Sequence, residues 1–468
     1  MRNIHSFILY NDREDAETEQ ALRQSNLVKR ITRLQAGKYP ASSLIRDIAA
    51  QAEADYILLI HEPVEPGLFA LERMISVAED TSAGMLYADY REETGREHPL
   101  IDYRKGSLRD DFDFGLVQMY HTGAFREASA DMTDDYRFAG LYDLRLSLSR
   151  KSPIVHVSEY LYRKKESEER SQASEAQFDY LSPQNREVQI EMERACTGHL
   201  RRIGGFLPSV ETVIDAQEPS FPFEASIIIP VRNRARTIRE AVESVLSQET
   251  KFSFNIIAVD NYSTDGTTAL LSYIAEKDDR LIHLIPERRD LGIGGCWNYA
   301  VSHPRCGRFS IQLDSDDVFR TTGAVQNIVD AFYHYRCAMV IGTYQLTDFN
   351  KRSIPPGVID HSEWTAENGH NNALRINGLG APRAFFTPLL RSLKLPDTSY
   401  GEDYAAGLRI SREYKIGRIY DVLYLCRRWE DNSDAHPSLD KINERNAYKD
   451  SLRTWELEAR IKMNRSGR

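Results

Sequence analysis

Apolar positions after Ala225 come in short bursts that alternate between two periods. Ser226–Ile229 reads as a strand, Ala235–Ser247 as a helix, Asn255–Val259 as a strand and Thr267–Glu276 as a helix. Leu281–Leu284 then reads as a strand, Gly295–Val301 as a helix and Phe309–Leu313 as a strand. Such alternation predicts a mostly parallel sheet with helices on both faces, a class that binds ligands beyond the carboxyl ends of its strands. A domain boundary is expected just upstream, where Pro208, Pro219 and Pro222 punctuate LPSVETVIDAQEPSFPFEA. Before that boundary, Ser182 and Pro183 read as the cap and first position of a long helix, with Arg201 and Arg202 in its last turn and Gly204 as its stop. Lys164–Gln177 is polar and without period, a solvated loop.

The length, 468 residues, suits two or three globular units, and the expected division is 1–215 and 222–468. With 41% hydrophobic and 28% charged residues, collagen, coiled coil and wholesale disorder are excluded. A formal charge of −10 makes nucleic acid a poor partner. Five scattered cysteines without a CxxC pair encode neither a disulfide framework nor a zinc site, so a reducing cytoplasm is the expected location. The N-terminal apolar stretch is brief and no later run approaches the ~18 residues of a membrane span, so a soluble, unexported chain is expected.

The sharpest chemical feature is FSIQLDSDDVF. Its strand runs into Asp314, Ser315, Asp316 and Asp317, and carboxylates this close repel one another unless a hard divalent cation such as Mg²⁺ or Mn²⁺ sits among them; the competing reading is a solvated acidic turn. IIAVDNYSTDGT ends a strand at Asp260, which either accepts hydrogen bonds from a ligand or belongs to the cap of the next helix. In DLGIGGCWN, Gly292, Gly294 and Gly295 precede a helix, either to admit phosphate or to permit packing. Glu402 and Asp403 stand side by side at a helix start, suited to proton acceptance or to capping. YLCRRWEDNSDAHP adds Arg427, Arg428, Trp429 and His436, able to pair with diphosphate, stack on a sugar or bind metal, and equally able to serve as surface ion pairs, core or loop.

In this order and spacing, the features from Ala225 to about Pro437 resemble the family 2 glycosyltransferases with the type-A fold. The resemblance implicates Pro230, Arg232 and Asn233 of SIIIPVRNR in the nucleotide pocket and Asp260 in contact with the base, with Asn261 departing from the usual second Asp. It brings Gly294 and Gly295 near the ribose and diphosphate, directs Asp314 and Ser315 toward the donor, and puts Asp316 on the metal, with Asp314 and His436 as further candidate ligands. GED looks like the family's ED motif, which implies that Asp403, beside Glu402, is the base of an inverting transfer. Arg428 and Trp429 echo the RW of processive synthases, although Leu425 stands where Gln would be. The implied reaction moves a sugar from a nucleotide sugar, UDP-linked by preference, to a hydroxyl of a glycan or glycoconjugate, with Mn²⁺ or Mg²⁺; peripheral membrane contact through a partner stays open. The rivals are a non-catalytic scaffold that binds nucleotide sugar, and a sugar nucleotidyltransferase. The latter class carries a Gly-rich loop after its first strand, and PVRNRAR contains no Gly.

The first half resembles a worn copy of the same fold. YILLIHEPV parallels FSIQLDSDD, and Phe138–Lys164 parallels the stretch from GEDYAAGLRISR to YLCRR. His61 and Pro63 then replace Asp314 and Asp316, and Gly140 and Leu141 fall at Glu402 and Asp403, so this copy is expected to be catalytically dead. Asp102–Gly115, dense in charge and aromatic residues, is expected either to hold an acceptor or to pack on the second domain.

Overall fold

A computed structural model of the protein describes residues 2–10, 16–165, 185–209, 212–216, 220–429 and 437–467. It divides into two compact units, Met1–Phe206 with Ser438–Arg468, and Leu207–Pro437. The first unit contains β1 (Ile4–Tyr10), α1 (Ala16–Arg23), β2 (Val28–Gln35), α2 (Ser42–Gln51), β3 (Tyr56–Ile60), β4 (Val64–Pro66) and α3 (Ala70–Thr81). It continues through β5 (Met85–Arg91), β6 (Glu97–His98), β7 (Val117–His121), α4 (Thr122–Ala130), α5 (Gly140–Leu148), β8 (Ile154–Lys164) and α6 (Arg186–Ile203). α6 stops at Gly204 in the left-handed region, with Arg201 and Arg202 in its last turn, as the sequence predicts; Ser182, Pro183 and most of the expected loop at 164–177 lie outside the described residues.

The second unit holds β9 (Ala225–Val231), α7 (Ile238–Leu246), β10 (Phe254–Asp260), α8 (Thr267–Lys277), β11 (Leu281–Leu284), α9 (Ile293–Ser302) and β12 (Phe309–Gln312). There follow β13 (Val318–Phe319), α10 (Ala324–Tyr335), β14 (Met339–Thr347), β15 (Ser353–Ile359), α11 (Gly369–Asn372), β16 (Arg383–Phe386), α12 (Thr387–Leu393), α13 (Glu402–Glu413) and β17 (Ile416–Arg427). Ile227, Ile228 and Ile229 on β9 are fully buried, as are Ile256 and Ile257 on β10 and Ile311 on β12. Continuous apolar runs of this kind belong at the centre of a sheet covered on both faces.

The two sheets have one topology. The first runs β2-β1-β3-β7-β5-β8-β4 with β6 beside β5; the second runs β10-β9-β12-β16-β14-β17-β13 with β15 beside β14, and adds β11 outside β10. Each shared pair has the same sense, parallel for β1–β3 and β9–β12, antiparallel for β3–β7 and β12–β16. Both units are therefore mixed α/β folds of one design, as the expected tandem duplication requires. Register fixes the correspondence. Tyr56 opposes Ile4 as Phe309 opposes Ala225, which aligns His61 with Asp314 and Pro63 with Asp316. The edge pairing agrees, because Pro66 opposes Tyr162 as Phe319 opposes Tyr424. Gly140 and Glu402 each open the helix that leads into the corresponding strand.

In one respect the division departs from the expected 222–468. The last helix, α14 (Leu439–Arg465), belongs to the first unit. Ser438 caps it by accepting from the Lys441 N–H at 3.3 Å. The Asp102–Gly115 segment, expected to hold an acceptor or the second domain, seats this helix. Ser107 donates to Asp450 at 2.8 Å, the Gly106 N–H donates to the Thr454 hydroxyl at 3.0 Å, and a Cβ on Gly106 would stand 2.2 Å from the Thr454 nitrogen. The same segment is tied to the sheet by His156, whose ring nitrogens lie 2.8 Å from Asp89 and 2.9 Å from Asp102. No helix among the described residues is long and apolar enough to cross a membrane.

Candidate active site

β12 delivers the acidic cluster. Asp314 follows the strand, its backbone N–H donating to the Tyr424 hydroxyl at 2.9 Å, while Gln312 donates to its two oxygens at 3.0 and 3.2 Å. Burial holds Asp314 above the ordinary carboxylate range, with the charge of Asp316 adding to it. Asp317 is buried deeper and raised well above that range by the same causes; it accepts from the Arg427 N–H at 2.7 Å. Asp316 has a side chain 13% exposed, with Oδ2 lying 3.6 Å from the Arg234 Nε and 3.3 Å from the Trp429 indole nitrogen. Ser315 is buried, and its carbonyl accepts from the Thr237 hydroxyl at 2.9 Å.

α13 delivers the other acids. Its cap, Gly401, has φ +77°, which explains the glycine before the acidic pair. Asp403, 29% exposed, is ion-paired with Arg383 of β16. Arg383 also donates through Nη1 to Gln312 Oε1 at 2.9 Å, and Gln312 in turn holds Asp314. An unbroken chain therefore joins the two acidic motifs: Asp403, Arg383, Gln312, Asp314. Glu402 beside it is buried, and burial, reinforced by the Asp403 charge, pushes its carboxyl up to about 8. Burial thus favours the neutral form of Glu402, while its neighbour Asp403 is paired with the Arg383 guanidinium.

The remaining predicted residues divide. Pro230 lies one residue before the end of β9, opposite Val259, and Arg232 and Asn233 follow the strand on an exposed loop. Asn233, at φ +54°, accepts from the Thr264 N–H at 2.7 Å, and its own N–H donates to Ser263 at 2.9 Å. Asp260 is fully buried and accepts from the Ser263 N–H at 2.9 Å and from the Thr268 hydroxyl at 2.5 Å. Burial would raise it, but the Thr268 and Ser263 hydrogen bonds hold it below its ordinary value. The turn-ordering alternative thus accounts for its contacts. Asn261 donates to the Leu291 carbonyl at 2.7 Å, while its Oδ1 is buried without a hydrogen-bond partner.

For the glycine string the packing alternative has direct support, because Gly294 and Gly295 lie against the 396–398 loop. A Cβ on Gly294 would meet the Pro396 carbonyl oxygen at 1.9 Å, and one on Gly295 would meet Asp397 Oδ1 at 2.1 Å. The Gly294 N–H is already spent on the Thr398 carbonyl at 2.9 Å. Their effect is to let α9 approach Glu402, whose Cβ would be 3.1 Å from a Gly294 Cβ. In the first unit the close approach persists with the glycine exchanged. There Gly140 occupies the acidic position, and a Cβ on it would stand 2.3 Å from the Ala41 carbonyl carbon. Gly294→Ala is therefore expected to displace the Glu402 loop and destabilise the second unit by about 1–3 kcal/mol, read as a lower urea midpoint. An unchanged midpoint would show that the loop yields freely.

Arg428 donates its backbone N–H to the Thr347 carbonyl at 2.8 Å, and it is the preceding Arg427 that turns inward. Arg427 is fully buried, donating to the Asp316 carbonyl and to Glu240, both at 2.5 Å. Trp429 stands beside Asp316 with the Arg234 and Arg236 guanidinium groups 5.7 and 5.4 Å from its ring centre. His436 lies outside the described residues. Sequence reasoning missed Arg234, Arg236 and Arg383. A lone cation inside the apolar run PRAFF was a usable signal for Arg383, and the alternation in RNRAR was one for the other two.

Residues 226–387 match the family model described as Glycosyl transferase family 2. The second unit carries a family 2 glycosyl transferase domain. Its curated relatives include an uncharacterized glycosyltransferase of Rickettsia felis, 29% identical over 217 residues, which are 43% of this chain and 34% of that protein. Another is the succinoglycan biosynthesis protein ExoO of Rhizobium meliloti, 37% identical over 97 residues, 21% of this chain and 26% of the relative. The chain thus spans about a third or less of these two relatives. Among solved structures, S. aureus TarS 1-349 in complex with UDP-GlcNAc is 20% identical with a TM-score of 0.39, covering 51% of this chain and 72% of that one. The mannosyltransferase PcManGT from Pyrobaculum calidifontis, in complex with GDP-Man and Mn2+, is 16% identical with a TM-score of 0.37, covering 60% and 84%.

Proposed function

We propose that the second unit of this family 2 domain transfers a sugar from a nucleotide sugar to a hydroxyl of a glycan or glycoconjugate, with inversion at the anomeric carbon. The observation that carries the reading is the Asp403–Arg383–Gln312–Asp314 chain, which sets a partly exposed carboxylate within one network with the acidic cluster. Asp403 takes the proton of the acceptor hydroxyl as its oxygen bonds to the anomeric carbon; the bond from that carbon to the diphosphate breaks, and the nucleoside diphosphate leaves with the electron pair. Arg383 keeps Asp403 aimed before the transfer through their ion pair. Trp429, Arg234 and Arg236 line the side of Asp316 with an aromatic face and positive charge, suited to a sugar ring and phosphates.

A divalent cation fits this donor set. Asp314 and Asp316 offer hard oxygen ligands, and the raised carboxyls of Asp314 and Asp317 mark an acidic excess that a cation would relieve. Among the described residues no group of three or more His, Cys, Asp or Glu side chains is placed to hold a metal, and Asp314 and Asp316 are the two ligands we assign among them. Bound Mn²⁺ or Mg²⁺ would stabilise negative charge on the departing diphosphate. The deciding experiment is a nucleotide-sugar panel with each ion, read as thermal stabilisation and donor hydrolysis. A metal-dependent response lost in Asp316→Asn is expected, and no response to any donor overturns the reading.

Glu402 supplies a pH test of the same cleft. Unfolded, it loses its proton at about pH 4; folded, it keeps it to about 8. The folded state therefore binds the extra proton between these values, and stability falls as pH rises through that window. Glu402→Gln, which imitates the protonated form, should flatten the fall in urea midpoint between pH 6 and pH 9. A Gln variant with the wild-type slope would assign that slope elsewhere.

A further inference from the structure

The first unit keeps an open cavity at the place where its twin fold forms the end of the donor side. Tyr10 opposes Gln35 at the end of the β1–β2 pair as Val231 opposes Asp260 at the end of the β9–β10 pair, so Gln35 stands at the position of Asp260. Gln35 borders a cavity of about 450 Å³ whose other chemistry-bearing walls are Lys38, Tyr39, Asp47, Arg137 and Phe138. Where the second unit inserts α8 and β11, the first passes from β2 to α2 through a short loop, and this loop forms one wall. The opposite wall is the segment ahead of α5, the counterpart of the segment ahead of α13.

The walls are fastened to one another. The Ser42 N–H donates to the Tyr136 carbonyl at 2.9 Å, the Tyr136 N–H to the Ser42 hydroxyl at 3.0 Å, and the Gly140 N–H to the Pro40 carbonyl at 3.0 Å. Glu191 accepts from the Arg137 and Phe138 N–H groups at 3.1 and 2.6 Å. A cavity held this way is formed before any ligand arrives. Its chemistry repeats one unit twice: the Lys38 ammonium lies 5.3 Å from the centre of the Tyr39 ring, and the Arg137 guanidinium 4.9 Å from the centre of the Phe138 ring. Each pair offers a flat face beside a positive charge, which suits a ligand that is itself a planar ring joined to an anion. Gln35 and Asp47 add the amide and carboxylate that ring edges and ribose hydroxyls bond.

The chemistry of transfer has no counterpart there. His61 and Pro63 stand at the acidic-cluster positions, and Leu141 stands at that of Asp403. We propose that the first unit binds a nucleoside diphosphate in this cavity, held by Lys38 and Arg137 in place of a metal, and does not turn it over. The choice of ligand class rests on the reading of the second unit as a nucleotide-sugar enzyme; the cavity does not.

Calorimetric titration of UDP and of GDP into the full chain, first in EDTA and then with Mn²⁺, separates the two sites. In EDTA one binding event is expected, weakened at least about tenfold in the Lys38→Ala/Arg137→Ala double variant, the loss of two phosphate contacts, and unchanged in Asp316→Asn. Both substituted side chains are exposed, and an unchanged unfolding midpoint confirms the fold. Gln35→Glu, which sets a carboxylate at the cavity wall, gives a second variant with the same expected weakening. No EDTA event with either nucleotide, an event that the variants retain, or pyrophosphate binding as tightly as UDP overturns the proposal. Should the EDTA event stand while Mn²⁺ adds nothing, the reading of the second unit falls and this site remains.

Discussion

Asp403→Asn should lower glycosyl transfer by about 10²–10⁴-fold, the usual contribution of a positioned general base, while nucleotide-sugar binding persists. The asparagine fills the same space, and its carbonyl oxygen can still accept from Arg383, so the network to Gln312 and Asp314 keeps its shape. What is lost is the negative charge that takes the acceptor proton. Glu402 does not substitute for it, because burial, the main cause of its raised carboxyl, favours the neutral form with or without the Asp403 charge. Donor binding in the variant is measured by calorimetry and transfer by release of nucleoside diphosphate in the presence of acceptor. Turnover comparable to wild type would remove Asp403 from the mechanism. Donor binding without transfer in the wild type, across glycan acceptors, would favour a binding scaffold. Arg383→Gln is a companion variant that acts through Asp403: with the ion pair gone the carboxylate is no longer aimed, and transfer should fall while donor binding persists.

The strands of the second unit were legible because each is an apolar run of strand length closed by turn residues, and Ser226–Ile229, Asn255–Val259 and Phe309–Leu313 all lie within or at the ends of observed strands. The duplication was legible for the same reason, and the register adds what pattern matching lacked, an independent alignment of Pro63 with Asp316 from the edge pairing. The two acidic motifs were visible as local clusters. Their linkage was not, because Arg383 lies on β16, distant in sequence from both, and only sheet pairing brings it beside Gln312. The glycines left two readings open because a close approach to phosphate and a close approach to the Pro396 carbonyl demand the same absent Cβ. α14 was assigned to the wrong unit for a related reason. Its buried face carries Lys449, Asp450, Arg453, Glu456 and Arg460, residues that a polarity rule sends to water.

That buried polar face sets the largest expected stability effect. Asp450→Ala should destabilise the first unit by about 3–5 kcal/mol, the cost of breaking a buried ion pair from one side. Asp450 is fully buried; it accepts from Ser107 at 2.8 Å and from Arg453 at 2.7 Å, and the Arg109 Nε lies 3.6 Å away. Arg453 and Arg109 are themselves buried, so truncation takes a buried carboxylate from both guanidinium groups, leaving Arg109 with the exposed Asp111 at 3.0 Å. The helix would then lose its hold on the Asp102–Gly115 segment, where Gly106 admits no larger residue. Glu458→Ala, on the exposed side of the same helix, should stay within about 0.5 kcal/mol of wild type. Urea unfolding followed by tyrosine and tryptophan fluorescence measures both. The double variant Asp450→Leu/Arg453→Leu distinguishes a stranded charge from a lost contact: it removes both partners, and should recover part of what Asp450→Ala loses. An Asp450→Ala chain as stable as the Glu458→Ala control would mean that water reaches this helix face and that its charges are solvated.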